Sequence, residues 1–114
     1  MIRKALACTL LVLPFLLPRA AVAVEGDRQV FPAAAERARL VIHGATDIEA
    51  MRPLLEDFRA LRPEVTLEYV DYLTNELFRE AKASCASGEH VADLLLSSSV
   101  DQLVRLANDG CARR

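Results

Sequence analysis

Three short apolar runs, each closed by a polar seam and followed by a helical period, restrict this chain more than any other feature. The runs are "RLVIHG" (39–44), "VTLEYVD" (65–71) and "ADLLLS" (92–97). Each is short and rich in branched or alternating apolar residues, as buried strands are. After the first, Ile48, Met51, Leu54, Leu55, Phe58 and Leu61 recur at helical spacing until Pro63 stops them. Thr46 and Glu49 match a capping box for that helix. Pro53 either kinks it or marks where its main part begins. A second helix is expected from about Asn75, with Leu77, Phe78, Ala81 and Cys85 inward and Gly88 past its end. A third is expected with Val100, Leu103, Val104 and Ala107 inward and Gly110 beyond it.

Strand and helix alternating three times predict an α/β fold: three β-α units of a parallel, doubly wound sheet, joined by right-handed crossovers. In such sheets ligands bind beyond the carboxyl ends of the strands, where helix N-termini point. Three seams meet that description: Gly44 to Asp47, Asp71 to Asn75 and Ser97 to Asp101. The last carries three consecutive serines. Ser98 with Asp101, or Ser99 with Gln102, fits a capping box. One helix end has too few orphan donors to need three hydroxyls. The row reads either as capping alone or, in its surplus hydroxyls, as a hydrogen-bonding platform for a polar or anionic ligand. Asp47, Glu49, Asp71 and Asp101 near the helix starts either complement the helix dipoles or favour a cationic or metal-bearing ligand.

The residues before this pattern are of another kind. Arg3 and Lys4 precede the uncharged apolar run "ALACTLLVLPFLLP", and Ala21-Val22-Ala23 offers a small-x-small cleavage site. Residues 1–23 therefore read as a secretory signal peptide, too short and too broken by Pro14 and Pro18 to span a membrane. Residues 24–38 show no sustained period and read as a lead-in that Phe31-Pro32 pins to a surface; the α/β part occupies 39–114. Cleavage leaves 11 basic and 16 acidic residues, a net charge of −5. A chain so acidic, with no basic stripe, is unsuited to nucleic acid or anionic lipid. It also leaves Cys85 and Cys111 as an even pair, a candidate disulfide in an exported protein.

Catalytic signatures are missing from the sequence. No G-x-S-x-G elbow surrounds Ser97 to Ser99, and no glycine loop is spaced to cradle phosphate. His43 and His90 lack the close spacing of a zinc site. The expectation is a protein that is not an enzyme and carries no cofactor.

The segments "RLVIHGATDIEAMRPLLEDFRALRPEVTLEYVD", "TNELFREAKAS" and "ADLLLSSSVDQLVRLANDG" together resemble the start of lobe 1 of a bacterial ABC-transporter periplasmic solute-binding protein. The architecture is type II and the subgroup ferric-iron-like. Members have two α/β lobes that close on a solute and present it to an inner-membrane ABC permease. The resemblance implies a periplasmic or secreted chain that captures a small polar solute or ferric iron, in truncated form because the second lobe is absent. Carried over, it assigns ligand contacts to Ala45, Thr46, Ser97 and Ser98, with Thr74 as a further candidate, and leaves Ser99 as the helix cap. Asp47 stands where some relatives place an iron-ligating histidine and is the metal candidate. Cys111 replaces a usual aromatic. A small secreted α/β interaction or sensor module, pairing through an open sheet edge, is the alternative.

If residues 1–23 are removed on export, mass spectrometry of the exported product will show an N-terminus at Val24. An intact Met1 on a cytoplasmic protein overturns the signal reading.

Overall fold

A computed structural model describes residues 26–112. The expected signal peptide, with Cys8, lies outside the described residues. Four strands form one sheet: β1 (Asp27–Phe31), β2 (Ala38–Gly44), β3 (Val65–Asp71) and β4 (Leu94–Leu96). Three helices connect them or follow: α1 (Ile48–Leu61), α2 (Thr74–Ser87) and α3 (Val100–Asn108). The spatial order is β1-β3-β2-β4. β3, β2 and β4 run parallel, as the three β-α units require, whereas β1 runs antiparallel to β3.

That fourth strand corrects the expectation of a three-stranded sheet with a lead-in. Its five residues carry only Val30 and Phe31 as apolar positions, too few to register as a period. Phe31 is buried against Leu67, its partner in register. Asp27 pairs with Asp71, so the chain enters the sheet at the carboxyl end of β3. The fit there is tight, since a Cβ on Gly26 would lie 2.7 Å from the Asp71 carbonyl oxygen.

One face of the sheet packs on α1. Ile42, Val65, Leu67 and Tyr69 meet Ile48 and Leu55, with Met51 and Phe58 closing the flank. Alternation along the strands turns Val70 to the other face, where it packs with Tyr72 and Leu77 of α2. Farther from the carboxyl edge this second face is polar. Glu68, 7% exposed, is paired with both Arg28 and Arg39, while Thr66 donates to Glu36 at 2.6 Å.

Several helical details depart from the sequence pattern. Asp47, not Thr46, caps α1, its Oδ1 accepting from the Glu49 amide at 2.8 Å. The helix runs through Pro53, so that residue neither begins nor ends it. Leu54 and Leu61 face outward, 62% and 78% exposed. β4 is three residues long where six were expected. On α3 the buried residue is Leu106, with Leu103 beside it half-buried, while Val100, Val104 and Ala107 are exposed. The apolar positions of α3 span an arc of roughly 160° at 3.6 residues per turn. The neighbouring surface covers one flank of that arc. Period alone centres the inner face on the other flank.

The tightest packing lies at the end of β2. The Tyr69 ring crosses Gly44 on the adjacent strand, where a Cβ would fall 2.0 Å from the phenol oxygen. Its hydroxyl donates to the Thr46 carbonyl at 2.6 Å. Gly44→Ala is therefore expected to destabilise the fold by about 2–4 kcal/mol, combining overpacking with loss of that hydrogen bond. Urea denaturation measures it; an unchanged midpoint would show that Tyr69 moves aside freely.

Candidate functional site

The three seams predicted from sequence lie side by side at the carboxyl edge, and the backbone binds them together. The Ala45 amide donates to the Leu96 carbonyl at 2.9 Å, joining the first seam to the third. The Tyr72 amide donates to the Gly44 carbonyl at 2.9 Å, joining the second to the first. At the starts of α2 and α3, Gln102 Nε2 donates to Asn75 Oδ1 at 2.9 Å. Among the residues proposed from sequence, Thr46 and Ser98 are exposed on this edge. Ala45, Thr74 and Ser97 are half-buried behind them.

The serine row is wired differently from the expectation. Ser99 occupies the N-cap position of α3, but its side chain makes no cap hydrogen bond. Instead Ser97 Oγ accepts from the Ser99 amide at 3.1 Å. A hydroxyl two residues upstream thus shapes the turn, a local side-chain-to-backbone bond that competes with capping. The Ser97 hydroxyl hydrogen stays free to donate elsewhere. The N-cap of α2 is Leu73, which has no side-chain acceptor at all. Two of the three adjacent helix N-termini therefore present first-turn amides without a side-chain cap, and such amides favour an electron-rich partner.

Asp47, the metal candidate, already uses Oδ1 as the cap of α1. Among the described residues no group of three His, Cys, Asp or Glu is placed to hold a metal ion. Asp71 closes the edge beneath the first seam. Burial pushes its carboxyl above the usual range, opposed by a hydrogen bond from the Ile48 amide and reinforced by the charges of Asp47 and Asp27. His43 is 4% exposed and packs on the Tyr72 ring with centroids 5.1 Å apart. Burial lowers its pKa first, then the Arg28 charge, with Glu68 opposing. His43 is thus a neutral residue of the second face. His90 precedes β4, at the end opposite the serines, and lies 3.5 Å from Asp93.

Two hollows adjoin these elements. A cleft of about 10 Å³ lies between Thr74, Phe78, Ser97 and Leu103, room for about one water. An open groove of about 660 Å³ lies at the amino end of β4, flanked by Cys85, His90, Leu95, Leu106 and Cys111. The larger hollow is lined by no residue of the three seams. Cys85 and Cys111 on its wall are joined in a disulfide, Cα–Cα 5.3 Å.

Sequence reasoning passed over Tyr69, took Asp71 and Asn75 only as the bounds of the second seam, and took Gln102 only as a cap partner. Tyr69 looked like an ordinary strand position. The alternation that turned Tyr69 toward α1 was the available signal for its support of Thr46.

No protein-family model and no curated protein matches the chain. Among solved structures, it is similar to the substrate-binding protein of an ABC transporter from Agrobacterium tumefaciens, with 32% identity and a TM-score of 0.72. The match covers 78% of this chain and 27% of that protein, so the chain spans about a quarter of its length. The four-stranded, mostly parallel sheet with three helices thus resembles part of a periplasmic binding-protein lobe.

The serine geometry gives a direct test. Ser97→Ala is expected to cost about 1 kcal/mol, the value of a local side-chain cap. Ser99→Ala should stay within about 0.5 kcal/mol of the parent. Thermal melts of the two variants compare them, and the opposite ranking would restore Ser99 as the cap.

Proposed function

We propose that the chain supplies the first-lobe part of an extracytoplasmic solute-binding component of an ABC uptake transporter. In this reading a small polar solute rests on the carboxyl edge of the sheet. The observation that carries it is the joining of three seams into one edge with two helix N-termini lacking side-chain caps. The fold's likeness to part of a substrate-binding protein supports the same reading. Thr46 and Ser98 are the outer contacts. Ala45 leaves room for the solute to approach, and Ser97 and Thr74 line the cleft behind. A membrane permease is the partner this function requires. An extracytoplasmic location agrees with the disulfide, and no described helix is long and apolar enough to cross a membrane. Ferric iron is the weaker solute, because the Asp47 carboxylate is already engaged.

One observation favours a different class. β4 pairs only with β2 among the described strands, Leu94 on it is exposed, and so are Val100 and Val104 of the helix that follows it. An edge of this kind suits a small interaction module that pairs with another chain. A dimer of the full chain in light scattering, with the seams indifferent to solute, supports that reading.

Amide NMR titration of the full chain with inorganic phosphate, and separately with ferric citrate, tests the solute reading. Saturable shifts are expected for Thr46, Asn75 and Ser98 to Val100 with phosphate. A dissociation constant on the order of 1 mM corresponds to about 4 kcal/mol of binding, reasonable for one lobe. Ser98→Ala should weaken the interaction by about 1 kcal/mol or more. Shifts confined to other regions, or none with either probe, would remove the carboxyl edge as a solute site.

A further inference from the structure

The Cys85–Cys111 disulfide closes a loop with a sequence separation of 26. That loop contains all of β4, the serine seam and all of α3. Its remaining attachments are few: the Leu96 carbonyl accepts from the Ala45 amide at 2.9 Å, and Leu95 and Leu96 pack partly buried against the two core clusters. β4 pairs with β2 through three residues. Asp93 is bonded to Val41 through its amide and its carboxylate, at 2.9 and 2.8 Å. α3 is held at its start by the Gln102–Asn75 bond, and Arg105 lies over the Phe78 ring. Leu106 is its one buried residue. By contrast, β3 lies between β1 and β2, and Leu67, Tyr69 and Val70 are each 1% exposed or less. Two parts of the molecule therefore differ in burial and in strand pairing, and the disulfide fastens the less buried part to the more buried one.

From this we infer that the disulfide is a redox-sensitive clasp governing assembly of the third seam. With the bond formed, residues 89–112 stay folded against α2 and the serine row completes the carboxyl edge. With the bond reduced, that segment opens as a unit while β1, β3, β2, α1 and α2 remain folded. Both cysteines are half-buried and border the open groove, so a small thiol can approach them. Reduction by a dithiol proceeds through a mixed disulfide. The Sγ–Sγ bond breaks, each cysteine sulfur ends with a proton, and the reductant leaves as its own disulfide. The consequence for solute capture rests on the function proposed above; the opening itself does not.

Hydrogen exchange of the full chain, oxidised and after treatment with dithiothreitol, reads the opening directly. Amides of residues 100–108 should exchange about ten-fold or more faster after reduction, with those of 65–71 unchanged. The double variant Cys85→Ser/Cys111→Ser should show the same pattern without reductant. Equal exchange in both redox states overturns the clasp. Faster exchange that includes 65–71, or a double variant that does not fold, overturns it too, because the bond would then be a global staple. Phosphate titration of the oxidised chain, run alongside, judges the solute reading separately.

Discussion

The phenol of Tyr69 laid across Gly44 is the contact on which the carboxyl edge depends. The ring is fully buried, and its hydroxyl has one partner, the Thr46 carbonyl. Desolvation raises its pKa, so the group remains a neutral donor across the ordinary pH range. A buried donor left without an acceptor costs more than the bond gains. The chain leaving β2 is therefore drawn to one place, and α1 starts from there with Asp47 as its cap. Only glycine at position 44 lets the ring pass. The same residue offers its carbonyl to Tyr72, which sets the second seam beside the first.

The sheet's second face works by different means. Near the carboxyl edge it is apolar and covered by α2, but toward the other end it carries Glu68 between two arginines and Thr66 beside Glu36. Glu68 is nearly enclosed, while Arg28 and Arg39 remain about half exposed at 58% and 45%. A buried carboxylate needs such partners to offset its lost hydration. Because Arg28 comes from β1, the antiparallel strand is tied to the parallel sheet by charge on one face and by Phe31 on the other. β1 thus covers one side of β3 and turns it into an interior strand.

The parallel β-α units were legible because each combined a burial pattern with a stop signal, as in "VTLEYVD" before its seam. The α/β class and the position of the seams followed from that. β1 was not legible, since its burial depends on Leu67 and Glu68, forty residues away and invisible to local periodicity. The serine row was half legible. Its place at a helix start could be read, but which hydroxyl turns back to the backbone depends on torsions the residue names do not reveal. On α3, five apolar residues offered more surface than its neighbours cover, so the pattern alone did not choose Leu103 and Leu106 over Val100 and Val104.

The register of β1 has a consequence for the charge of the carboxyl edge. Asp27 stands opposite Asp71, and Gly26 is pressed against the end of β3, so the polypeptide arrives at the fold from the same side on which the seams open. That register also sets the Asp27 carboxylate beside the Asp71 carboxylate, and its charge adds to the burial that disfavours ionisation of Asp71. The strand that seals the outer flank of β3 thus also makes one corner of the edge a place where negative charge is crowded.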